Sequence, residues 1–298
     1  MAVLQIVASK EHAGKTAVAV AIARGLAAQG RVRLVRTGAG ESAKADAISF
    51  ASFLFASTPG VVVDAAALSG FAADETVLVE ADAGTTPMAN TATLVVVRTT
   101  ASDDDKALAA GLGDRLAGTI ATDVPATEIE AVARELTNAG MRPLALLPED
   151  LMLAAPSVGE IRDMLNAKVL YEGENDLEVV EDVLLSPVYA DPARPHFRRF
   201  ASKAVLAPFN KTDFHLAAIE TQAACLVITG GRDPSPYVVD RAQGESTTVL
   251  LAPHETPETL SELSDVWLTS RFRGERKAAT MHALLESRFD IPGILRKL

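Results

Sequence analysis

Short apolar runs alternate with longer segments of helical periodicity through the first half of the chain. The apolar runs predict strands at 3–8, 32–36, 76–80, 93–97, 116–121 and 144–147. The segments between them predict helices at 15–29, 44–56, 103–113 and 126–139. Because strands that are apolar throughout are usually buried on both faces, this order predicts an α/β fold with a parallel sheet between layers of helices.

A second α/β pattern begins near residue 152, after a short linker at 148–150. Further strand-like runs occupy 204–207, 225–228 and 247–251, with helical segments between and after them. We therefore expect two domains, 1–150 and 151–298, of which the second is smaller and ends in a helical tail.

Composition narrows the classes of function that remain open. The chain has 298 residues, is 48% hydrophobic and carries a formal net charge of -11. Such a negative field disfavours binding to nucleic acid or to anionic membranes. The first residues already form a strand, and no apolar run is long enough to span a bilayer, so we expect a cytoplasmic protein. The single cysteine, Cys225, lies in an apolar run and is expected to be buried.

The strongest chemical signal is the segment SKEHAGKT, which stands between the first predicted strand and the first predicted helix. In this context a loop ending in Gly-Lys-Thr holds phosphates with backbone N–H groups and with the helix N-terminus. The candidate nucleotide-binding residues are Ser9, Lys10, Glu11, His12, Ala13, Gly14, Lys15 and Thr16. Lys15 would reach the terminal phosphates, and Thr16 would hold Mg²⁺. Ser9 stands where the motif normally has its first glycine; a chance Gly-Lys-Thr at a helix start is the alternative.

Acidic residues that could bind a metal ion lie at or after the ends of later predicted strands. Glu80 ends the run 76–80, and the carboxyl ends of parallel strands line the ligand crevice of such sheets. Glu80 is therefore a candidate for Mg²⁺ binding and, with Lys15, for catalysis, or else it caps a loop. Asp46 is a second candidate Mg²⁺ ligand, or else a residue on a solvated helix face. Arg36 and Thr37 follow the second strand and could meet an anionic substrate.

The segments SKEHAGKT, VRLVRTGAG, KADAISF and VLVEADAGT occur in the order seen in dethiobiotin synthetase-like P-loop proteins, which the first domain resembles. The resemblance implies that ATP and Mg²⁺ are bound, with Asp46 and Glu80 as the Mg²⁺ acids. It places Thr122 where the family has an asparagine near adenine. Arg36-Thr37 replaces the family's Lys-Pro at the substrate. Since the planar guanidinium of arginine needs a different geometry, this change weighs against dethiobiotin synthesis.

Lys10 has a separate resemblance. It stands at a position where ParA/MinD-like ATPases have a lysine that contacts phosphate across a dimer. The flanking Glu11 and His12 depart from the small residues of that family. An exposed loop lysine is the alternative interpretation.

Taken together, both halves resemble the N-terminal region of long bacterial phosphotransacetylases, where a dethiobiotin synthetase-like domain precedes a DRTGG domain. The segments that carry the resemblance are GLGDRLAGTIATDVP, LLPEDLMLAAPSVGEIRDMLNAKVL, LVITGGRDPSPYVV and LLAPHETPETLSEL. It implies a nucleotide-sensing or metabolic regulatory module without acetyltransferase activity, which forms a homodimer or a higher homo-oligomer. The alternative is an ATP-dependent ligase or carboxylase related to dethiobiotin synthetase, or a slow ATPase.

Overall fold

The fold is taken from a computed structural model that describes residues 2–173, 177–186 and 193–297. The strands are β1 (Ala2–Val7), β2 (Val32–Arg36), β3 (Thr76–Glu80), β4 (Ala92–Arg98), β5 (Leu116–Val124), β6 (Pro143–Pro148), β7 (Lys168–Tyr171), β8 (Asp182–Leu185), β9 (Lys203–Pro208), β10 (Cys225–Thr229) and β11 (Thr248–Leu251). The helices are α1 (Lys15–Ala27), α2 (Glu41–Ala51), α3 (Asp103–Leu112), α4 (Ile129–Asn138), α5 (Leu151–Ala154), α6 (Val158–Met164), α7 (Ala193–Phe197), α8 (Thr212–Glu220), α9 (Pro236–Gly244), α10 (Thr256–Leu263), α11 (Val266–Thr269) and α12 (Glu275–Glu286). Short 3₁₀ turns span Ala65–Gly70, Gly113–Arg115 and Pro292–Lys297.

The chain divides into two compact units, 1–153 with 272–298, and 154–271. The first unit contains a six-stranded sheet in the order β2-β3-β1-β4-β5-β6, and its strand pairs are parallel. Apolar side chains of the strands alternate between the two faces: Leu4 and Ile6 pack with α1, while Val7 packs with α3 and α4. The predicted α/β fold with a parallel sheet is confirmed.

The second unit contains a five-stranded sheet in the order β7-β11-β10-β9-β8. Strands β8 to β11 pair in parallel, and β7 is antiparallel to β11. Cys225 begins the central strand β10 and is fully buried, as the sequence predicts. Burial raises the pKa of its thiol to about 12, so this cysteine is an inert part of the core.

The C-terminal helix α12 belongs to the first unit, although the sequence places it with the second domain. Its buried residues, which include Met281 and Leu285, join the apolar cluster formed by α1 and the sheet. Gly25 of α1 lets the chain that follows α12 approach closely, because a Cβ atom at residue 25 would lie 2.9 Å from Ile291 Cγ2. The first unit is therefore built from two separate segments of the chain, 1–153 and 272–298. Among the described residues, none of the helices has the length and apolar character needed to cross a membrane.

Leu285→Ala should show how much this packing contributes to the first unit. Leu285 is fully buried, so truncation should lower the free energy of unfolding by about 2–5 kcal/mol. Leu54, in the same unit, is 97% exposed, and Leu54→Ala should change it by less than about 0.5 kcal/mol. Chemical denaturation measures both. Equal effects would contradict the packing of α12 on α1.

A buried histidine gives the second unit a dependence on pH. His215 in α8 is fully buried, and its Nε2 lies 2.9 Å from the carbonyl oxygen of Pro208. A carbonyl only accepts, so Nε2 carries the proton, and Nδ1 has no hydrogen-bond partner among the described residues. Burial lowers the pKa of His215 below its ordinary 6.5.

We expect the second unit to lose stability as the pH falls below about 6.5, because the unfolded chain then binds a proton that buried His215 does not. His215→Gln should abolish this loss of stability at low pH. Above the pKa of the histidine in the unfolded chain, His215 is neutral in both states and causes no such loss. His254→Gln, at a histidine whose side chain is 54% exposed, should retain the loss at low pH. Denaturation at pH 5 and pH 8 compares the three proteins, and a pH dependence unchanged in His215→Gln would refute the assignment.

Candidate functional site

The loop between β1 and α1 lies at the carboxyl edge of the first sheet, as expected for a phosphate-binding loop. Gly14 caps α1 with φ +85°, and a Cβ atom there would lie 3.0 Å from Thr122 Cγ2, so glycine is required on two grounds. The first turn of α1 has no acidic residue. Among the described residues, the N–H groups of Lys15, Thr16 and Ala17 have no backbone acceptor. The positive end of the helix dipole is therefore free to receive an anion.

Ser9, which replaces the first glycine of the motif, ties the loop to α3. Its Oγ donates to Asp105 Oδ1 at 2.6 Å. The other oxygen of Asp105 accepts from the backbone N–H of Ser102 at 2.9 Å and so completes the N-terminal cap of α3. A glycine could not make this bond. Asp105 was not singled out in the sequence, where 96 positions separate it from Ser9.

Two further contacts brace the same loop. Thr122 Oγ1 donates to the carbonyl oxygen of Ala13 at 2.9 Å, and the N–H of Gly84 donates to that of Ala8 at 3.0 Å. Thr122 is 6% exposed. Its hydroxyl therefore supports the loop backbone, while the predicted contact with adenine stays a prediction.

Lys15 is the buried cation of the loop. Its side chain is 6% exposed, and it forms no hydrogen bond or ion pair within the described part of the chain. Lys10, Glu11 and His12 are instead exposed at the loop surface, and His12 has φ +57°. A buried ammonium without a partner is costly, so its position is consistent with an anion arriving between Lys15 and the start of α1.

Thr16 and Glu80 meet directly beside this lysine. Thr16 Oγ1 donates to Glu80 Oε1 at 3.1 Å. Glu80 is 2% exposed, and its Oε2 has no hydrogen-bond partner among the described residues. The pKa of Glu80 is raised to about 7, mainly by burial and also by the nearby charge of Asp46, while Arg36, Lys15 and the hydrogen bond from Thr16 act in the opposite direction.

Arg36 lies in the middle of the acidic residues. Its Nε is 3.2 Å from Asp46 Oδ2 and 3.8 Å from Glu80 Oε1, and its Nη2 donates to Asp82 Oδ1 at 2.8 Å. The side chain is 3% exposed. The guanidinium is thus engaged by carboxylates, and the expected contact of Arg36 with an anionic substrate stays a prediction. Thr37 next to it remains accessible at the edge of the sheet.

A cavity of about 430 Å³ lies beside these residues. Thr37 and Asp82 line it next to the acidic cluster, and Gln5, Val63 and Met88 line it on the face opposite α1. Gln5 Oε1 accepts from the N–H of Met88 at 2.7 Å and so fixes one wall. A cavity of this size can hold a small organic molecule.

The oxygen atoms of Thr16, Glu80 and Asp46 are of the type that Mg²⁺ prefers. The buried and unpartnered Oε2 of Glu80 fits a cation in particular. Within the described residues, no group of three or more His, Cys, Asp or Glu side chains is arranged to hold a metal. A magnesium ion would thus take most of its ligands from phosphate oxygens and water, as is usual for Mg²⁺ with nucleotides.

Comparison with known families identifies part of the second unit. A family model, "DRTGG domain", matches residues 160–266. The C-terminal part of the chain contains a DRTGG domain. Thr229-Gly230-Gly231, at the end of β10, lies inside the DRTGG match, and both glycines have positive φ.

Other similarities are more distant. A phosphate acetyltransferase of Nitratidesulfovibrio vulgaris strain Hildenborough is 25% identical over 163 residues, which cover 50% of this chain. The match spans 22% of that protein's length.

Two solved structures are also distantly similar to parts of the chain. The CBS and DRTGG domains of the regulatory region of Clostridium perfringens pyrophosphatase, complexed with the activator diadenosine tetraphosphate, are 22% identical. That likeness covers 39% of this chain and 49% of the other, with a TM-score of 0.34. The MinC:MinD cell division complex of Aquifex aeolicus is 16% identical and covers 51% of this chain and 84% of the other, with a TM-score of 0.39.

Ser9→Ala should destabilise the first unit, because it removes a donor from the buried carboxylate of Asp105. A hydrogen bond to a charged group contributes about 1.5–3 kcal/mol, so we expect a loss of that order in the free energy of unfolding. Ser287→Ala, at an exposed serine of the same unit that bonds locally to Leu284, should have little effect. Urea denaturation tests this, and equal stabilities of wild type and Ser9→Ala would show that the tether contributes nothing.

Proposed function

We propose that the protein binds ATP with Mg²⁺ in the loop Ser9–Thr16 and acts as a nucleotide-sensing regulatory module without acetyltransferase activity. The observation that carries the proposal is Lys15, a buried and unpaired ammonium at the start of a helix whose first N–H groups are free. Phosphate is the anion that this combination recognises best.

The adjacent residues support a nucleoside polyphosphate in preference to a simple anion. Thr16 and Glu80 would offer oxygen ligands to a Mg²⁺ that accompanies the nucleotide. Asp105 braces the loop at Ser9, and Thr122 braces it at Ala13. Such preorganisation lowers the entropic cost of binding. The DRTGG match over residues 160–266 and the similarity to part of a phosphate acetyltransferase support the regulatory part of the proposal.

Titration calorimetry with ATP and ADP, with Mg²⁺ present, tests the proposal. We expect wild type to bind, and Lys15→Ala to weaken ATP binding about 10- to 100-fold, because a charge-assisted bond to phosphate is lost. Lys44→Ala is the control at an exposed lysine outside the loop, which pairs with Glu41, and it should change affinity less than about threefold. No binding by wild type, or unchanged binding by Lys15→Ala, would contradict the proposal.

An ATP-dependent ligase or carboxylase is the second candidate, and the cavity beside Thr37 and Asp82 favours it. In such a reaction the cavity would hold the acceptor molecule. ADP release from ATP in the presence of bicarbonate and a panel of small amines and carboxylic acids distinguishes the two. Release that depends on one of these compounds would establish catalysis, whereas ATP binding without release supports sensing. The expected homo-oligomer and cytoplasmic location also stay predictions, and sedimentation velocity addresses the first.

A further inference from the structure

The acidic cluster formed by Asp46, Glu80 and Asp82 surrounds the guanidinium of Arg36. Arg36 Nε and Nη2 contact Asp46 at 3.2 Å and Asp82 at 2.8 Å, and Glu80 Oε1 lies 3.8 Å from Nε. The side chains of Asp46 and Glu80 are 12% and 2% exposed. Carboxylates this close and this poorly solvated repel one another strongly unless a positive charge lies between them.

Arg36 is held in this position by the strand that carries it. It is the last residue of β2, in register with Glu80 of β3. Its Nη1 donates to the carbonyl oxygen of Glu80 at 3.4 Å and also contacts that of Thr37. Asp82 is fixed in turn by the N–H of Ala39, which donates to its Oδ2 at 2.8 Å. The guanidinium is thus a built-in part of the cluster and not a side chain that happens to lie near it.

Magnesium and this guanidinium compete for the same negative charge. Mg²⁺ binds carboxylate oxygens at close range in near-octahedral geometry, and Asp46 Oδ2 is engaged by Arg36. Two cations beside the same carboxylates would also repel each other in a buried setting. Glu80 Oε2, which has no hydrogen-bond partner in the described part of the chain, is the oxygen that Arg36 leaves open.

We infer that Arg36 is the resident cation of the Asp46–Glu80–Asp82 cluster and competes there with Mg²⁺. Arg36 thereby weakens metal binding by the protein and makes nucleotide binding less dependent on Mg²⁺. Thr16 and Glu80 would hold the metal that accompanies a nucleotide, while Asp46 pairs with Arg36. The part of this inference that concerns nucleotide rests on the proposed function; the part that concerns metal affinity does not.

Binding of Mn²⁺ to the nucleotide-free full chain, followed by electron paramagnetic resonance of the free ion, tests the inference without any turnover. We expect weak binding by wild type and at least about tenfold tighter binding by Arg36→Gln, which leaves the carboxylates without their cation. Arg33→Gln is the matched control. Arg33 lies on the same strand and pairs with buried Glu75 at 2.8 and 2.9 Å, away from the cluster. Unchanged or weaker Mn²⁺ binding by Arg36→Gln, or equally tighter binding by Arg33→Gln, would overturn the inference.

Removal of Arg36 alone leaves three carboxylates facing one another and could prevent folding. The double variant Arg36→Gln/Asp82→Asn removes one of these charges with the arginine and keeps Asp46 and Glu80 for the metal. Thermal unfolding confirms that it is folded, and it too should bind Mn²⁺ at least about tenfold more tightly than wild type. Wild-type affinity in the folded double variant would overturn the inference.

The ratio of ATP dissociation constants in EDTA and in Mg²⁺ separates this inference from the proposed function. We expect the ratio to be small in wild type and to rise at least about tenfold in the double variant. If wild type binds no ATP in either condition, the proposed function fails, while the Mn²⁺ measurement still decides the role of Arg36. If ATP binds and neither the ratio nor the Mn²⁺ affinity changes, the inference fails and the proposed function stands.

Discussion

Charge balance at the carboxyl edge of β1, β2 and β3 is the constraint on which the candidate site depends. Parallel strands that end side by side bring Arg36 and Glu80 together, and the adjoining loops and helices add Lys15, Asp46 and Asp82. Two cations and three carboxylates at one largely buried edge are stable only if each has a partner. Arg36 pairs with Asp46 and Asp82 and lies 3.8 Å from Glu80, whereas Lys15 forms no hydrogen bond or ion pair within the described residues, which is why a phosphate group suits this edge.

The loop at this edge differs from its usual form in a way that the rest of the unit explains. A serine in place of the first glycine reaches Asp105, and that carboxylate is also the cap of α3. The loop is thereby joined to α3, which packs on the face of the sheet opposite α1. Preorganisation of this kind favours binding whether or not a reaction follows. The cavity beside Thr37 could hold a second reactant.

Local patterns predicted much of this arrangement. Apolar runs such as TVLVE placed β3 correctly, and the strand–loop–helix context placed Lys15 and Thr16 at the carboxyl edge of the sheet. Contacts between distant segments could not be predicted in the same way. Nothing local in Ser9 indicates Asp105, and the helical period of α12 does not say which unit will cover its apolar face. The burial of Arg36 could not be predicted locally either, because it depends on three acids elsewhere in the chain.

A crystal structure of the full chain grown with ATP and Mg²⁺ shows directly whether phosphate binds between Lys15 and the start of α1. We expect phosphate oxygens within hydrogen-bonding distance of Lys15 Nζ and of the N–H groups at the start of α1, with Arg36 still bound to Asp46. Nucleotide bound elsewhere, or a loop that remains without phosphate at saturating ATP, would contradict this expectation.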